Sequence, residues 1–254
     1  MNPEAATQQY PQSVRTAVQE RYFCCVSALP AALSLIAGSA DVISFLGLGL
    51  FNAHITGNLV ILAAHIVARG AADLALMLSV PTFIAVLCLM RLLVAELEAL
   101  QIGSLAPLLL LQFLLLGGLF ALCGASTHPL NPSARSLLVG GQLGVAAMAV
   151  QTALVQLSLK DAPSTAVMTT NVTRFIMDVA DVLFGGTTDK AVQARWRAKH
   201  TWPVIIGFIA GAGLGAACFA AAGLKSLGLP AGLALLALVV SLGMKVDREQ
   251  LART

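Results

Sequence analysis

The sequence predicts an all-α membrane protein, a polytopic transmembrane bundle of about eight helices that each cross the bilayer. Of its 254 residues, 58% are hydrophobic and only 11% are charged. A soluble domain carries about 25% charged residues. Apolar runs long enough to cross a bilayer recur along the whole chain. Basic residues collect between alternate runs, as they do on the cytoplasmic side of membrane proteins.

The candidate spans follow one another with short connections. In chain order they are residues 28–50, 54–69, 74–95, 105–126, 136–159, 164–184, 203–223 and 227–244. The second run is short and follows the first almost without interruption. Two span counts therefore stay open. Either all eight segments cross, or six cross and two are re-entrant, returning to the side from which they entered.

Polar segments bound the predicted transmembrane domain. Residues 1–22 form a polar tail, residues 23–245 the transmembrane domain, and residues 246–254 a second tail. The domain divides into two weakly similar halves, about 28–126 and about 136–244. Glu4 and Glu20 argue against a cleaved signal peptide, whose first region is short and basic.

The distribution of Lys and Arg orients the chain. With eight spans and the N-terminus inside, eleven of these residues lie on the cytoplasmic side, three lie outside, and Arg174 falls within a span. This bias predicts that both termini are cytoplasmic. The basic loop 187–202 then faces anionic membrane lipids, so we expect no nucleic acid as a partner.

Two short polar motifs stand at corresponding places in the two halves. "HITGN" at 54–58 follows one glycine-containing span, and "VMTTN" at 167–171 follows another. The aligned pairs are Thr56 with Thr169 and Asn58 with Asn171. Each preceding span carries one polar residue within its apolar run, Asp41 in the first half and Gln151 in the second.

These motifs have the composition of helix starts. Thr and Asn side chains accept hydrogen bonds from the unpaired N–H groups at a helix N-terminus. One reading makes both motifs surface turns. The other makes both helices begin inside the protein, with their N-termini facing each other near the midplane of the membrane. Four crossing spans in each half would make parallel repeats, whereas a re-entrant segment in each half would make inverted ones.

Charged and amide side chains within the spans are the candidate site residues. Asp41 lies about thirteen residues into the first span, near mid-bilayer. Arg174 and Asp178 are four residues apart and can form an ion pair on one helix face. Such charges suggest a functional site facing the bundle interior, and a purely structural ion pair is the alternative. The predicted substrate-binding residues are Asp41, His54, Thr56, Asn58, Gln151, Thr169, Asn171, Arg174 and Asp178.

Other features of the sequence concern packing and the absence of motifs. Gly207, Gly211 and Gly215 recur at intervals of four residues and predict a face for close helix packing. Gln142 is expected to join helices by amide hydrogen bonds. The sequence has no P-loop, no GxSxG and no metal-binding spacing among its five cysteines. We therefore predict no cofactor, no metal and no enzymatic activity.

The stretch "AGSADVISFLGLGLFNAHITGN" resembles the opening signature of the YoaK-like family of bacterial multi-pass membrane proteins. The matching positions are Ala37, Gly38, Asp41, Phe51, His54, Thr56, Gly57 and Asn58. The later "AMAVQTALVQ" and "STAVMTTN" are similar to its second signature, with Thr170 where that signature has glycine. The resemblance covers about 28 to 243. It implies an integral protein of the bacterial inner membrane with a domain of unknown function, and it names no substrate.

Paired polar helix starts and charges within spans favour a transporter or permease for a small polar solute or ion. In this hypothesis Asp41 binds a coupling proton or cation, and Arg174 holds an anionic group or pairs with an Asp. His54 either carries a proton or is an ordinary interface residue. The alternatives are a non-transporting scaffold and a small intramembrane enzyme, for which His54 near Thr56 is the best nucleophile–base arrangement. A homo-oligomer is compatible with either class.

Overall fold

The structure is a computed structural model that describes residues 12–69, 73–124, 134–159, 162–184 and 189–251. Across these ranges the chain is helical and contains no strand, which confirms the predicted all-α bundle. Eight α-helices occur there: α1 (Gln12–Leu48), α2 (Ile55–Arg69), α3 (Leu74–Ala99), α4 (Leu105–Leu119), α5 (Ala134–Ser158), α6 (Met168–Phe184), α7 (Asp189–Ala222) and α8 (Gly228–Leu251). A π-helical turn at Phe120–Gly124 extends α4, and a 3₁₀ turn at Gly223–Leu227 joins α7 to α8.

The helices reach into both predicted polar tails. α1 begins at Gln12 and α8 continues to Leu251, so the tails are helical wherever the structure describes them. Residues 1–11 and 252–254 of these tails lie outside the described residues.

Five helical stretches of the described chain are long and apolar enough to cross a membrane. They are Ala28–Leu48, Leu74–Ala99, Leu105–Gly124, Arg135–Ser158 and Asp189–Gly243. The last has 55 residues and would extend about 80 Å as one helix, against about 30 Å of hydrocarbon. It divides into α7 and α8 at Gly223, whose φ of 57° breaks the helix. Six helices therefore have crossing length, while α2 and α6 have only 15 and 17 residues.

α7 packs against α1 through the predicted glycine face. The contacts pair Gly207 with Ala31, Gly211 with Leu35 and Gly215 with Ser39. A Cβ atom at Gly207 would lie 2.5 Å from the carbonyl oxygen of Ala31, so only glycine permits this approach. Since both series of numbers rise together by four, the two helices run parallel.

The pair that corresponds to α1 with α7 is α5 with α3. These helices also pack along each other. Gln142 of α5 accepts a hydrogen bond from the hydroxyl of Thr82 at 2.8 Å and donates to the carbonyl of Ala75 at 3.0 Å. Both partners lie on α3, so Gln142 joins helices as predicted. The first helix of each half therefore packs against the third helix of the other half.

The two halves have opposite orientations. Leu50, just after α1, contacts Gly141 in the first third of α5, while Leu33, early in the span Ala28–Leu48, accepts a hydrogen bond from Gln151 farther along α5. α1 and α5 are therefore antiparallel. α4 and α8 pack along each other, and Gly124 at the end of α4 lies beside Leu224, just before α8 begins. These two helices are antiparallel as well. Of the two arrangements that the sequence left open, the structure has the inverted repeat with six helices of crossing length.

Candidate functional site

The first break in the bundle follows α1. Gly49, with a φ of 74°, turns the chain, and residues 49–54 fold back along the helix that they leave. The backbone N–H groups of Asn52 and Ala53 donate to Asp41 Oδ1 at 2.8 and 2.6 Å. Asp41 is 2% exposed and stands seven residues before Leu48, about 10 Å along the helix. α2 therefore begins beside the middle of the span Ala28–Leu48.

His54 closes this turn. Its ring nitrogen Nδ1 is hydrogen-bonded to the second carboxylate oxygen of Asp41, Oδ2. The ring meets the edge of Phe51 at a centroid distance of 6.1 Å and that of Phe208, on α7, at 5.5 Å. The histidine side chain is 36% exposed, whereas that of Asp41 is 3% exposed. One carboxylate thus accepts three hydrogen bonds from three consecutive residues of the turn.

Asn58, in the first turn of α2, fixes the same segment from its other end. Its Oδ1 accepts from the backbone N–H of Phe51 at 2.7 Å, and its Nδ2 donates to the Phe51 carbonyl at 2.8 Å. Asn58 is fully buried. Thr56 is exposed, and no hydrogen bond joins its hydroxyl to His54 within the described part of the chain.

The second break, residues 162–167 just before α6, repeats this geometry. Asn171 is buried, and its Nδ2 donates to the carbonyl of Ser164 at 2.5 Å. This residue stands seven positions upstream, the same separation as that of Phe51 from Asn58. The hydroxyl of Ser164 also accepts from the N–H of Val167 at 3.1 Å, just before α6 begins. The alignment of Asn58 with Asn171 therefore describes two equivalent helix starts.

Uncharged side chains hold the second break in place. Gln151 Nε2 donates to the hydroxyl of Thr165 and to the carbonyl of Leu33 on α1, both at 2.9 Å. Gln151 Oε1 accepts from Gln112 Nε2 at 2.6 Å. The hydroxyl of Ser34, also on α1, donates to the carbonyl of Val204 on α7 at 2.7 Å, and it lies 3.4 Å from the carbonyl of Thr165. The segment before α6 thus rests on both α5 and α1.

The two breaks meet one face of α1. Ser34 contacts the second break and Asp41 the first. Because these residues are seven apart, they share a helix face and stand about 10 Å from each other along its axis. α2 and α6 therefore begin near mid-depth, and each continues back toward the end of the bundle from which its break enters.

Sequence reasoning missed part of these networks. Asn52 and Thr165 are the residues of the breaks that face Asp41 and Gln151. They lie 113 positions apart, the same offset as Asn58 and Asn171, so the alignment of the two motifs already contained this signal. Ser34 and Gln112 carried no such signal, since their roles depend on which helices become neighbours.

The predicted pairing of Arg174 with Asp178 does not occur. Asp178 is buried, and its Oδ1 accepts from Arg197 Nε and Nη2 at 2.9 and 2.5 Å. Arg197 belongs to α7, which packs antiparallel to α6, and its fork reaches the carboxylate better than a side chain of the same helix does. Arg174 is exposed.

The nine predicted site residues thus separate into groups. Asp41, His54 and Asn58 lie at the first break, and Gln151 and Asn171 lie at the second. Asp178 lies farther along α6. The other three are exposed, namely Thr56, Thr169 and Arg174. Among the described residues, no group of three or more His, Cys, Asp or Glu side chains is placed to hold a metal ion.

Replacing Arg197 by glutamine is expected to lower the midpoint of thermal unfolding clearly more than Arg195→Gln does. Asp178 Oδ2 already has no hydrogen-bond partner, so losing Arg197 leaves a buried carboxylate uncompensated. Arg195 is an exposed arginine two residues away on the same helix and serves as the matched control. Both variants can be followed by thermal unfolding in detergent. Equal shifts for the two would contradict a stabilising role for the pair.

The protein has apolar helices of crossing length in two inverted halves. It also exposes large apolar side chains, such as Ile84, Leu92 and Leu236. These features define an integral membrane protein of the helical class. The chain belongs to the DUF1275 family, described as proteins of unknown function, whose family model matches residues 29–240. The resemblance to YoaK-like proteins, which belong to this family, is thereby confirmed. Neither a curated protein nor a solved structure matched the chain.

Proposed function

We propose that the protein is a transporter or permease for a small polar solute or ion. The observation that carries this proposal is the pair of helices, α2 and α6, that begin near mid-depth beside one face of α1 and enter from opposite ends of the bundle. Discontinuous helices of inverted repeats form the binding sites of many secondary transporters. Their first turns offer N–H groups and the positive ends of helix dipoles to a ligand.

The inverted halves support alternating access as the mode of transport. The first break leads from one end of α1 and the second from the other, so each can close one side of a shared site. Of the nine residues predicted from the sequence to bind the solute, those at the two breaks form the centre of the binding site in this proposal, namely Asp41, His54, Asn58, Gln151 and Asn171.

We place the protein in the bacterial inner membrane with both termini in the cytoplasm. With six crossings and a cytoplasmic N-terminus, eleven Lys and Arg residues again lie inside and three outside. Relative to eight crossings, Arg91 and Lys160 move inside while Arg69 and Arg135 move outside. The charge bias therefore supports the same orientation of the termini for either count.

The proposal competes with two others. An intramembrane enzyme would use His54 as base and Thr56 as nucleophile, and the missing hydrogen bond between them disfavours it. We therefore keep the prediction that the protein is not an enzyme. A non-transporting scaffold would use the buried amides only to join helices, as Gln142 does. Membrane lipids are its expected surroundings, and a homo-oligomer is compatible with transport.

Two variants, Gln151→Leu and Gln142→Leu, distinguish a transporter from a scaffold. Both are amides of α5 that join helices, but only Gln151 contacts a helix break. The purified protein is screened for solutes that raise its midpoint of thermal unfolding, and flux of each hit is measured in proteoliposomes. We expect Gln151→Leu to weaken the stabilisation and to reduce flux at least about tenfold, which corresponds to a loss of about 1.4 kcal/mol of binding free energy. Gln142→Leu is expected to keep both.

A scaffold predicts a different result. If no solute in a panel of anions, cations, amino acids and sugars alters unfolding or crosses the membrane, the transporter proposal fails. If a solute does so and both variants respond equally, transport stands but its site does not lie at the second break.

A further inference from the structure

The two breaks are equivalent in geometry but not in chemistry. An acid and an imidazole hold the first in place, Asp41 and His54. Amides and hydroxyls hold the second, chiefly Gln151, Thr165 and Ser34. Neutral hydrogen bonds of this kind do not change between pH values at which a cell lives, whereas an imidazole gains or loses a proton there. Among the described residues that hold the two breaks, only those of the first can therefore respond to a proton.

We infer that Asp41 and His54 together form a proton-binding site that locks the start of α2, so that the proton is the ion coupled to transport. Only the coupling of the proton to transport rests on the proposed function. The binding of the proton and the locking of the helix are properties of the first break itself. They can be measured without any solute.

The geometry fixes where the proton binds. Nδ1 of His54 is occupied by its hydrogen bond to Asp41 Oδ2. Nε2 makes no hydrogen bond with any residue that the structure describes, and the side chain is 36% exposed. A proton from water therefore adds to the lone pair of Nε2 and leaves from the same atom. No other bond is made or broken.

Among the residues that the structure describes, Asp41 is the only charged partner of the ring. From α7 the imidazole meets Phe208, and from its own turn it meets Phe51. Neither side chain titrates. The backbone carbonyl of His54 accepts from Gly57 N–H in α2, which carries no charge either. Across the described residues, the charge of the site thus depends on Asp41 and His54 alone.

Loss of the proton weakens the lock. With the proton bound, the partly exposed imidazolium and the buried carboxylate form a charge-assisted pair whose net charge is zero. Without it, Asp41 is left negative beside a neutral ring, and the turn is held by neutral donors only. The turn of residues 49–54 should then open more often, which exposes the groups beneath it.

The test measures this opening directly. Ala53 donates to Asp41 through its backbone, so Ala53→Cys keeps that bond and places a thiol in the turn. The five native cysteines are replaced, and the protein is reconstituted in lipid vesicles. The rate of reaction with a membrane-impermeant thiol reagent is then compared with that of the same protein carrying His54→Gln, at each pH. The ratio of the two rates cancels the intrinsic pH dependence of the thiol.

We expect this ratio to be about one tenth at low pH and to rise toward one as the imidazole loses its proton. A ratio that does not change with pH would overturn the proton lock. Should the His54→Gln protein not fold, ¹⁵N NMR of the wild-type histidine rings gives a second measurement. The proposal requires the Nε2 signal of His54 to titrate, and a His54 signal that never titrates refutes it.

The outcomes separate this inference from the proposed function. A pH-dependent ratio without any transported solute would support a proton-controlled helix start in a protein that is not a transporter. A transported solute with a constant ratio would support transport that is not coupled through Asp41 and His54.

Discussion

Gly211→Ala is expected to destabilise the protein by about 3 kcal/mol or more, at the upper end of the cost of overpacking a core. The added Cβ would collide with the backbone carbonyl of Leu35 on α1, which cannot rotate away as a side chain does. α1 and α7 would have to separate along their whole contact, because Gly207 and Gly215 depend on the same approach. Unfolding in mixed micelles with increasing SDS measures the loss.

Gly213 is the matched control on the same helix. It is exposed, and a Cβ atom there would meet nothing within 4 Å. Gly213→Ala should leave stability unchanged or raise it by up to about 1 kcal/mol, because alanine favours the helix. If the two alanine variants unfolded alike, the close packing of α1 against α7 would not be a source of stability.

Asp41→Ala is the second change with a large expected effect. It removes the acceptor of two backbone N–H groups, those of Asn52 and Ala53, and leaves the imidazole of His54 without its partner. Since Asp41 is 2% exposed, water does not replace it. We expect a loss of about 3–5 kcal/mol, as for other broken buried pairs. Asp41→Asn keeps one oxygen acceptor and should lose less.

Asp73→Ala provides the comparison. Asp73 also accepts from a backbone N–H, that of Ala75 at the start of α3, but it is exposed. The loss of such a helix cap costs about 1 kcal/mol. Unfolding of both variants under identical conditions decides the point. Equal losses would mean that burial gives Asp41 no special role, and the description of the first break would then be wrong.

Composition and local pattern predicted the class of fold. A chain with 11% charged residues places its apolar side chains in lipid, and continuous apolar runs of about 20 residues then predict helices. Gly207, Gly211 and Gly215 predicted close packing because a face without side chains is visible in any helix. Asn58 and Asn171 could be recognised as helix starts because their bonds are local, seven residues back along the chain.

The direction of the repeat could not be predicted in the same way. With either eight or six crossings, eleven basic residues lie inside and three lie outside, because Arg69 and Arg135 exchange sides with Arg91 and Lys160. Only contacts between distant helices, such as Leu33 with Gln151, decide that α1 and α5 are antiparallel. The pairing of Asp178 with Arg197 rather than with Arg174 was hidden for the same reason, because α7 supplies the closer donor.

By itself, then, the sequence determined a helical membrane protein with two related helix starts, because hydrophobicity and capping act over a few neighbouring residues. The tertiary structure alone decided that the halves are inverted and that Asp41 and Ser34 receive the two breaks on one face of α1. It also decided that an ionisable pair holds the first break and neutral groups hold the second. These features depend on which helices pack together, and packing joins residues that stand more than a hundred positions apart in the chain, as Ser34 and Thr165 do.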